Sequence, residues 1–112
     1  FRVMGGIKGT DENLQAAIEG EGFEFQQMYP KFVEEAEADD NKPAVASFKN
    51  ALAVEEIHHG LYSEALDAVK SGSDLAEEKI FVCSVCGNTV KGEAPDKCPI
   101  CGVPKERFSE VK

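Results

Sequence analysis

Four cysteines near the carboxyl end of this 112-residue chain form two Cys-x-x-Cys pairs. The pairs are Cys83 with Cys86 and Cys98 with Cys101, and eleven residues separate them. Each pair offers two thiolates from one tight turn, and two such turns complete a tetrahedral four-thiolate site. Gly87 and Gly102 each follow the second cysteine of a pair, where glycine permits the tight turn. The spacing predicts a metal site rather than disulfides, and its geometry suits either zinc or iron.

The cysteines belong to a segment that differs in character from the rest of the chain. Residues from about 80 onward are rich in Gly, Pro and Cys, whereas the residues before them place apolar side chains at helical spacing. A unit below about 40 residues usually needs a metal or a partner in order to fold. We therefore predict two domains, residues 1–74 and residues 75–112, with the second one stabilised by its metal.

Helical periodicity predicts two long helices in the first domain. The first helix is expected over residues 11–38, with Thr10 as its N-cap. Pro30 falls inside it and should remove one backbone hydrogen bond and kink the helix. The second helix is expected over residues 43–70, and Gly72 stops it. Joined by a short turn, the two helices form an antiparallel hairpin, so the fold class is α plus a small metal-bound β domain.

Polar side chains inside the apolar stripes of both helices are the informative ones. Glu21 lies on the apolar face of the first helix, and Glu24 lies one turn further on. Glu55 lies on the apolar face of the second helix, and His58 follows three residues later on the same side. We therefore pair Glu55 with His58 and assign His59 to a supporting or surface position.

These residue types suit a di-iron site in a helical bundle. Such sites take one Glu from each of two helices and a Glu-x-x-His from each of the other two. Carboxylates in a core are costly unless a cation meets them. Any one of the four residues alone could simply be partly exposed at the edge of the hairpin. Their combination on facing helices favours metal binding by Glu21, Glu24, Glu55 and His58.

Several short stretches resemble the rubrerythrin family. In the helices these are Glu21-Gly22-Phe23-Glu24, Met28-Tyr29-Pro30 and Glu55-Glu56-Ile57-His58. The stretches Cys83-Ser84-Val85-Cys86-Gly87 and Cys98-Pro99-Ile100-Cys101-Gly102 resemble the shortened rubredoxin module that ends rubrerythrins. The resemblance covers nearly the whole chain. It implies an antiparallel two-helix hairpin, forming half of a ferritin-like four-helix bundle, followed by a rubredoxin-like domain.

The resemblance also implies iron in both sites. One iron would be held by the four cysteines, and two would lie in a carboxylate and histidine site shared with another chain or segment. Glu21 and Glu55 would be bridging or terminal ligands, and His58 a terminal ligand. Glu24 matches a carboxylate that binds iron in one redox state and releases it in another, and Tyr29 matches a tyrosine near the di-iron site. We expect Glu24 and Tyr29 to take part in catalysis.

The activity implied by the resemblance is that of a peroxidase. Hydrogen peroxide would be reduced to water at the di-iron centre, with electrons relayed through the rubredoxin-like iron. A rubredoxin or an NAD(P)H-dependent reductase is the expected electron donor. The alternatives are an electron-transfer protein whose helices only dimerise, a ferritin-like iron store, and a zinc-ribbon interaction module.

The predicted hairpin contains only half of the helices that a four-helix bundle needs. The missing half could be a separate or cleaved segment, swapped in from another subunit, and we interpret Phe1 as a cut or processed end. Alternatively, two copies of the hairpin could pair, because a homodimer supplies two Glu and two Glu-x-x-His. Either completion makes the protein an oligomer or part of a longer assembly.

Charge and hydropathy exclude other classes of partner. The net charge of −9 argues against non-specific binding to nucleic acid or to anionic membranes. No apolar run approaches the roughly 20 residues that a membrane span needs. The chain start has no apolar stretch typical of a signal peptide, and thiols in Cys-x-x-Cys pairs suit a reducing compartment. We therefore expect a cytoplasmic protein.

Overall fold

The computed structural model describes residues 5–75 and 77–112. The predicted processed end at Phe1 lies outside this described part. The helical elements are α1 (Thr10–Phe23), a π-helical segment (Glu24–Met28), α2 (Tyr29–Ala38) and α3 (Lys42–Lys70). The strands are β1 (Ile80–Cys83), β2 (Thr89–Lys91) and β3 (Phe108–Val111), with a 3-10 turn (Lys105–Arg107) before β3.

The first arm of the hairpin is continuous helix from α1 through α2. Pro30 lies in the first turn of α2, where its missing N–H is tolerated. The amide of Tyr29, one residue earlier, donates to the carbonyl oxygen of Glu24, five residues back along the chain. The hydrogen bond that proline disturbs is therefore accommodated by a widened π-helical turn just before it. The predicted disturbance lies where it was expected, but its form is a π segment.

The start of α1 differs from the prediction, because Gly9 rather than Thr10 is the N-cap. The Gly9 amide donates to the carboxylate of Glu12 at 3.1 Å. The Asn13 side chain accepts from the Lys8 amide at 2.9 Å and donates to the Lys8 carbonyl at 3.0 Å. Side chains from the first turn of α1 thus form hydrogen bonds with the backbone groups of Lys8 and Gly9, and no Thr10 hydroxyl is needed to cap the helix.

A tight turn reverses the chain between α2 and α3. Asp40 adopts a left-handed backbone, with φ of 53°. The Asn41 amide donates back to the Ala36 carbonyl at 3.0 Å, which closes the end of α2. The Asn41 side chain then accepts from the Ala44 amide at 3.2 Å and caps α3. At the other end Gly72, with φ of 75°, stops α3 as predicted.

Aromatic packing closes the turn end of the hairpin. The rings of Phe32 and Phe48 lie 5.3 Å apart, and Tyr29 packs against both at 6.0 and 6.3 Å. Of the apolar side chains on the described helices, Ala36, Val54 and Leu66 are buried. A layer of two helices buries only one stripe, so such hairpins gain stability when another layer packs on them. None of the described helices is both long enough and apolar enough to cross a membrane.

The cysteine-containing module is a three-stranded antiparallel sheet with strand order β2-β1-β3. Phe81 in the central strand lies opposite Val90 on one side and Glu110 on the other. The Lys91 ammonium bonds the Glu64 carboxylate on α3 at 2.7 Å, which fastens β2 to the hairpin. The predicted fold class is confirmed: a helical hairpin precedes a small sheet that positions the cysteines. The domain division at residues 74 and 75 falls between α3 and β1 and stays a prediction.

Candidate metal centres

The structure brings the four cysteine sulfurs together at the end of the sheet. The Sγ atoms of Cys83 and Cys101 lie 3.7 Å apart, and so do those of Cys86 and Cys98. A tetrahedral ion with metal–sulfur bonds of about 2.3 Å would place its ligands about 3.8 Å from one another. A disulfide would instead hold two sulfurs at about 2.05 Å. The sulfurs are therefore spaced for one tetrahedral ion, and all four cysteines are free.

The two Cys-x-x-Cys turns, here called knuckle one and knuckle two, use the same backbone hydrogen bonds. In knuckle one the Gly87 amide donates to the Cys83 carbonyl at 2.9 Å, and the Cys83 amide donates to the Asn88 carbonyl at 2.9 Å. In knuckle two the Gly102 amide donates to Cys98 at 2.9 Å, and the Cys98 amide donates to Val103 at 2.8 Å. Both glycines have a left-handed backbone, with φ of 82° and 80°. Asn88 and Val103 thus occupy equivalent positions.

The thiols shift one another's ionisation. Burial would raise the pKa of Cys98, but the backbone amides of Cys101 and Ile100, helped by thiol hydrogen bonds, lower it to about 6. Burial is the main cause that raises the pKa of Cys86 to about 12, against the opposing amide of Asn88. The protein alone therefore does not ionise all four thiols together. A cation at the centre supplies the charge that would do so, which fits a metal-binding role.

A second group of donors lies between the two arms of the hairpin. The His58 Nδ1 atom lies 3.8 Å from a carboxylate oxygen of Glu21 and 3.8 Å from one of Glu55. Glu21 comes from α1, while Glu55 and His58 lie three residues apart on α3, so the two helices place three donors around one point. In the described part of the chain, this trio and the four cysteines are the two groups whose donor atoms all lie within 4.8 Å of one another.

The trio is short of a positive charge. One oxygen of Glu21 and one of Glu55 are buried and have no hydrogen-bond partner among the described residues. Each of these side chains is only 17% exposed. Buried carboxylate oxygens without partners are costly, because they have lost water and gained nothing in return. A cation between them would remove that cost, and carboxylate with imidazole is a donor set that suits iron.

The other ring nitrogen of His58 is held by the cysteine module. His58 Nε2 lies 3.0 Å from the carbonyl oxygen of Gly87 and 3.1 Å from the hydroxyl of Thr89. A carbonyl oxygen can only accept, so Nε2 is the protonated nitrogen and donates to it. In the neutral ring the lone pair is then on Nδ1, the nitrogen that faces Glu21 and Glu55. This is the tautomer that a metal-binding histidine needs, fixed from its far side.

Not every predicted residue joins the trio. Glu24 opens the π-helical segment, is partly buried, and lies outside the group of close donors. Tyr29 lies in the aromatic cluster with Phe32 and Phe48. His59 packs edge-on against Phe25 with ring centroids 5.1 Å apart, which fits the supporting position expected for it. The assignments of Glu24 and Tyr29 stay predictions.

Three residues near the two sites make contacts that were not predicted from the sequence. The Gly87 carbonyl and the Thr89 hydroxyl reach His58 across the domain boundary, and the Asn88 side chain lies buried between the knuckles. The only local signal was a polar pair directly after the Cys-Gly of knuckle one, in a position where a strand begins. The partner of Thr89, His58, lies far away in the sequence.

Comparisons with known proteins agree with this geometry. The family described as "Rubrerythrin" matches residues 4–66, and "Rubrerythrin, rubredoxin-like domain" matches residues 81–109. Rubrerythrin-2 of Clostridium acetobutylicum is 41% identical over 109 residues, which span 95% of this chain and 59% of that protein. Nigerythrin of Nitratidesulfovibrio vulgaris is 36% identical over 99 residues, which span 88% of this chain and 48% of that protein.

A solved structure shares the fold over most of this chain. Nigerythrin described as fully reduced and all ferrous superposes with a TM-score of 0.82 at 34% identity, covering 93% of this chain and 50% of that one. The chain thus spans about half the length of the relatives that it matches.

Fold and sites together define a class of protein: a ferritin-like helical hairpin with a carboxylate and histidine site, joined to a tetrathiolate module. The chain belongs to the rubrerythrin family. Both donor sets fit iron, as the sequence predicted.

Proposed function

We propose that this chain is half of a non-haem iron peroxidase that reduces hydrogen peroxide to water. Iron would supply a one-electron carrier at the four cysteines and the peroxide-reducing centre at the carboxylates. The observation that carries the proposal is a buried oxygen without a hydrogen-bond partner on each of Glu21 and Glu55, two carboxylates that each place an oxygen 3.8 Å from His58 Nδ1. An electron-transfer protein with purely structural helices gives no reason to bury those oxygens.

The contact between the sites supports an internal route for electrons. Gly87 follows the ligand Cys86 directly in the chain, and its carbonyl accepts from His58 at 3.0 Å. The backbone of two adjacent residues, Cys86 and Gly87, and one hydrogen bond therefore connect the tetrathiolate site to a histidine of the helical site. His58 holds its proton on Nε2 in this contact and keeps Nδ1 for the metal. This arrangement suits transfer from the cysteine module to the helices.

Glu24 and Tyr29 are proposed to act near the helical site. Glu24 starts the π-helical segment, and π turns inside α-helices are frequent at functional sites. Its carboxylate would move toward the site in one redox state and away in the other, as the family resemblance implies. The Tyr29 amide closes the π turn on the Glu24 carbonyl, so the two residues are coupled through the backbone.

The helical site needs a second pair of helices. We propose that they come from another part of a longer polypeptide or from a second copy of this chain. In both cases the bundle can be completed by a domain swap within a homo-oligomer. The two sources differ in the metal count and in the mass of the assembly. Native mass spectrometry of the iron-loaded protein separates them.

The direct test is stopped-flow mixing of the reduced, iron-loaded assembly with hydrogen peroxide. We expect the helical centre to reoxidise faster than free ferrous iron does. Glu55→Ala should abolish this reaction and leave the tetrathiolate absorbance intact. Glu56→Ala is the matched control, because Glu56 is the exposed neighbour on the same helix. Equal rates for the assembly and free iron would overturn the proposal.

An electron-transfer role remains the second hypothesis, and metal analysis separates the two. A content of about one iron per chain would favour it, and distinctly more iron favours the peroxidase. For either role we propose a rubredoxin or an NAD(P)H-dependent reductase as the electron donor. We also propose a cytoplasmic location, because the Cys-x-x-Cys spacing suits metal binding in a reducing compartment.

A further inference from the structure

Asn88 is a polar side chain in a place where packing alone would favour an apolar one. It is only 1% exposed and is the largest fully buried side chain of the described residues. It directly follows Gly87 in knuckle one, and knuckle two has Val103 at the equivalent position. The fold therefore accepts an aliphatic side chain at this point of a knuckle. Packing therefore does not explain why the buried side chain at position 88 is an amide.

The contacts of Asn88 are with two of the four sulfurs. Its backbone amide donates to Cys86 Sγ at 3.4 Å within its own knuckle. Its side-chain Nδ2 reaches across to Cys98 Sγ in the other knuckle at 3.8 Å. A metal-bound thiolate can only accept, so the nitrogen end of the amide faces the sulfur. The opposite end, Oδ1, is buried and has no partner among the described residues.

From this geometry we infer that Asn88 sets the reduction potential of the tetrathiolate site by donating a side-chain hydrogen bond to Cys98. A one-electron reduction adds negative charge to the sulfurs, and a donor aimed at one of them stabilises the reduced form more than the oxidised form. The low dielectric of a buried position strengthens this preference. Asn88 acts through Cys98 and is a positioning residue.

The asymmetry between the knuckles sharpens the inference. The backbone amides that donate to the sulfurs are matched in the two knuckles, with Asn88 bonding Cys86 in one and Val103 bonding Cys101 in the other. The side-chain bond from Asn88 is added to one half only. Its cost is the partnerless Oδ1, a type of defect that proteins retain where it serves a site. The extra donor therefore distinguishes Cys98 from the other three ligands.

The test is the midpoint potential of the iron-loaded cysteine site, measured by spectroelectrochemical titration of the whole protein. Asn88→Val introduces the side chain of Val103, and Asn88→Leu keeps the branching of the Asn side chain at its γ carbon. At a fixed ambient potential, we expect both variants to lower the ratio of reduced to oxidised sites by about threefold to tenfold. The sulfur-to-iron charge-transfer absorption should shift in both variants as well.

Val103→Ala is the matched control, because it removes volume at the equivalent position without removing a sulfur donor. We expect it to lower stability and to leave the potential unchanged. If the potentials of Asn88→Val and Asn88→Leu equal that of Val103→Ala, Asn88 is a packing residue and the inference is wrong. If one variant fails to hold iron, the other decides.

Discussion

The Nε2 atom of His58 lies 3.0 Å from the carbonyl oxygen of Gly87. This single contact connects a helix ligand to the residue that follows a cysteine ligand. It also fixes which nitrogen of His58 faces Glu21 and Glu55. The cysteine module is therefore part of the support of the helical site, in addition to holding its own metal.

Thr89 also contacts His58, and a Thr-to-Val substitution removes the hydroxyl while keeping the branched shape of the side chain. Thr89→Val loses the 3.1 Å contact with His58 Nε2, so the ring is held by Gly87 alone. We expect metal affinity at the helical site to fall by about 10- to 100-fold, the usual effect of losing a partner behind a ligand. A ferrous or cobalt titration of the helical site measures this.

Thr89→Ser is the control for that experiment, because it keeps the hydroxyl. Its affinity should stay near that of the parent protein. The tetrathiolate absorbance should be the same in all three proteins. An unchanged affinity in Thr89→Val would mean that the Gly87 carbonyl alone orients His58.

Glu21 should reduce stability whenever the helical site holds no metal. One of its carboxylate oxygens lies 3.8 Å from His58 Nδ1, and the other is buried without a hydrogen-bond partner among the described residues. With the cysteine site loaded and the helical site empty, Glu21→Gln should raise the free energy of unfolding by about 1 kcal/mol. Urea unfolding measures this, with the exposed Glu19→Gln as control. A destabilised Glu21→Gln protein would contradict the view that this carboxylate is kept for metal binding.

Gly87 is needed for its backbone conformation and for the position of its carbonyl. Gly87→Ala places a side chain at φ of 82°, with its Cβ 3.7 Å from Val54 on α3. Gly92→Ala is a matched control, since Gly92 has φ of 85° and lies away from His58. Both should lose about 1–2 kcal/mol of stability through backbone strain. Only Gly87→Ala should also weaken metal binding at the helical site. Equal metal affinities of the Gly87→Ala and Gly92→Ala proteins would contradict the claim that Gly87 supports His58.

Removal of the cysteine-bound metal should weaken metal binding at the helical site. The module has few buried apolar residues, so chelation is expected to unfold its strands while α1 to α3 persist. Gly87 and Thr89 would then leave His58. Hydrogen exchange over residues 80–111 should rise, and metal affinity at the helical site should fall. Retained affinity after full loss of strand protection would disprove this coupling.

Local patterns in the sequence predicted most of the elements and the donors of both sites. Helical periodicity gave the arms of the hairpin, and glycine at 72 gave the end of α3, because both depend on neighbouring residues. The π-helical form of the turn before Pro30 and the Gly9 cap depend on small energy differences between similar backbones, and these were missed. The contacts of His58 with Gly87 and Thr89 join residues 29 and 31 positions apart. No local pattern contains that information.

The most direct test of the account is a crystal structure of the iron-loaded assembly with anomalous scattering at the iron edge. The account predicts one peak at the centre of the four sulfurs of Cys83, Cys86, Cys98 and Cys101. It predicts further density on the Nδ1 side of His58, between Glu21 and Glu55, with Nε2 still bonded to Gly87. Iron on Nε2, or no iron between the two carboxylates, would contradict it.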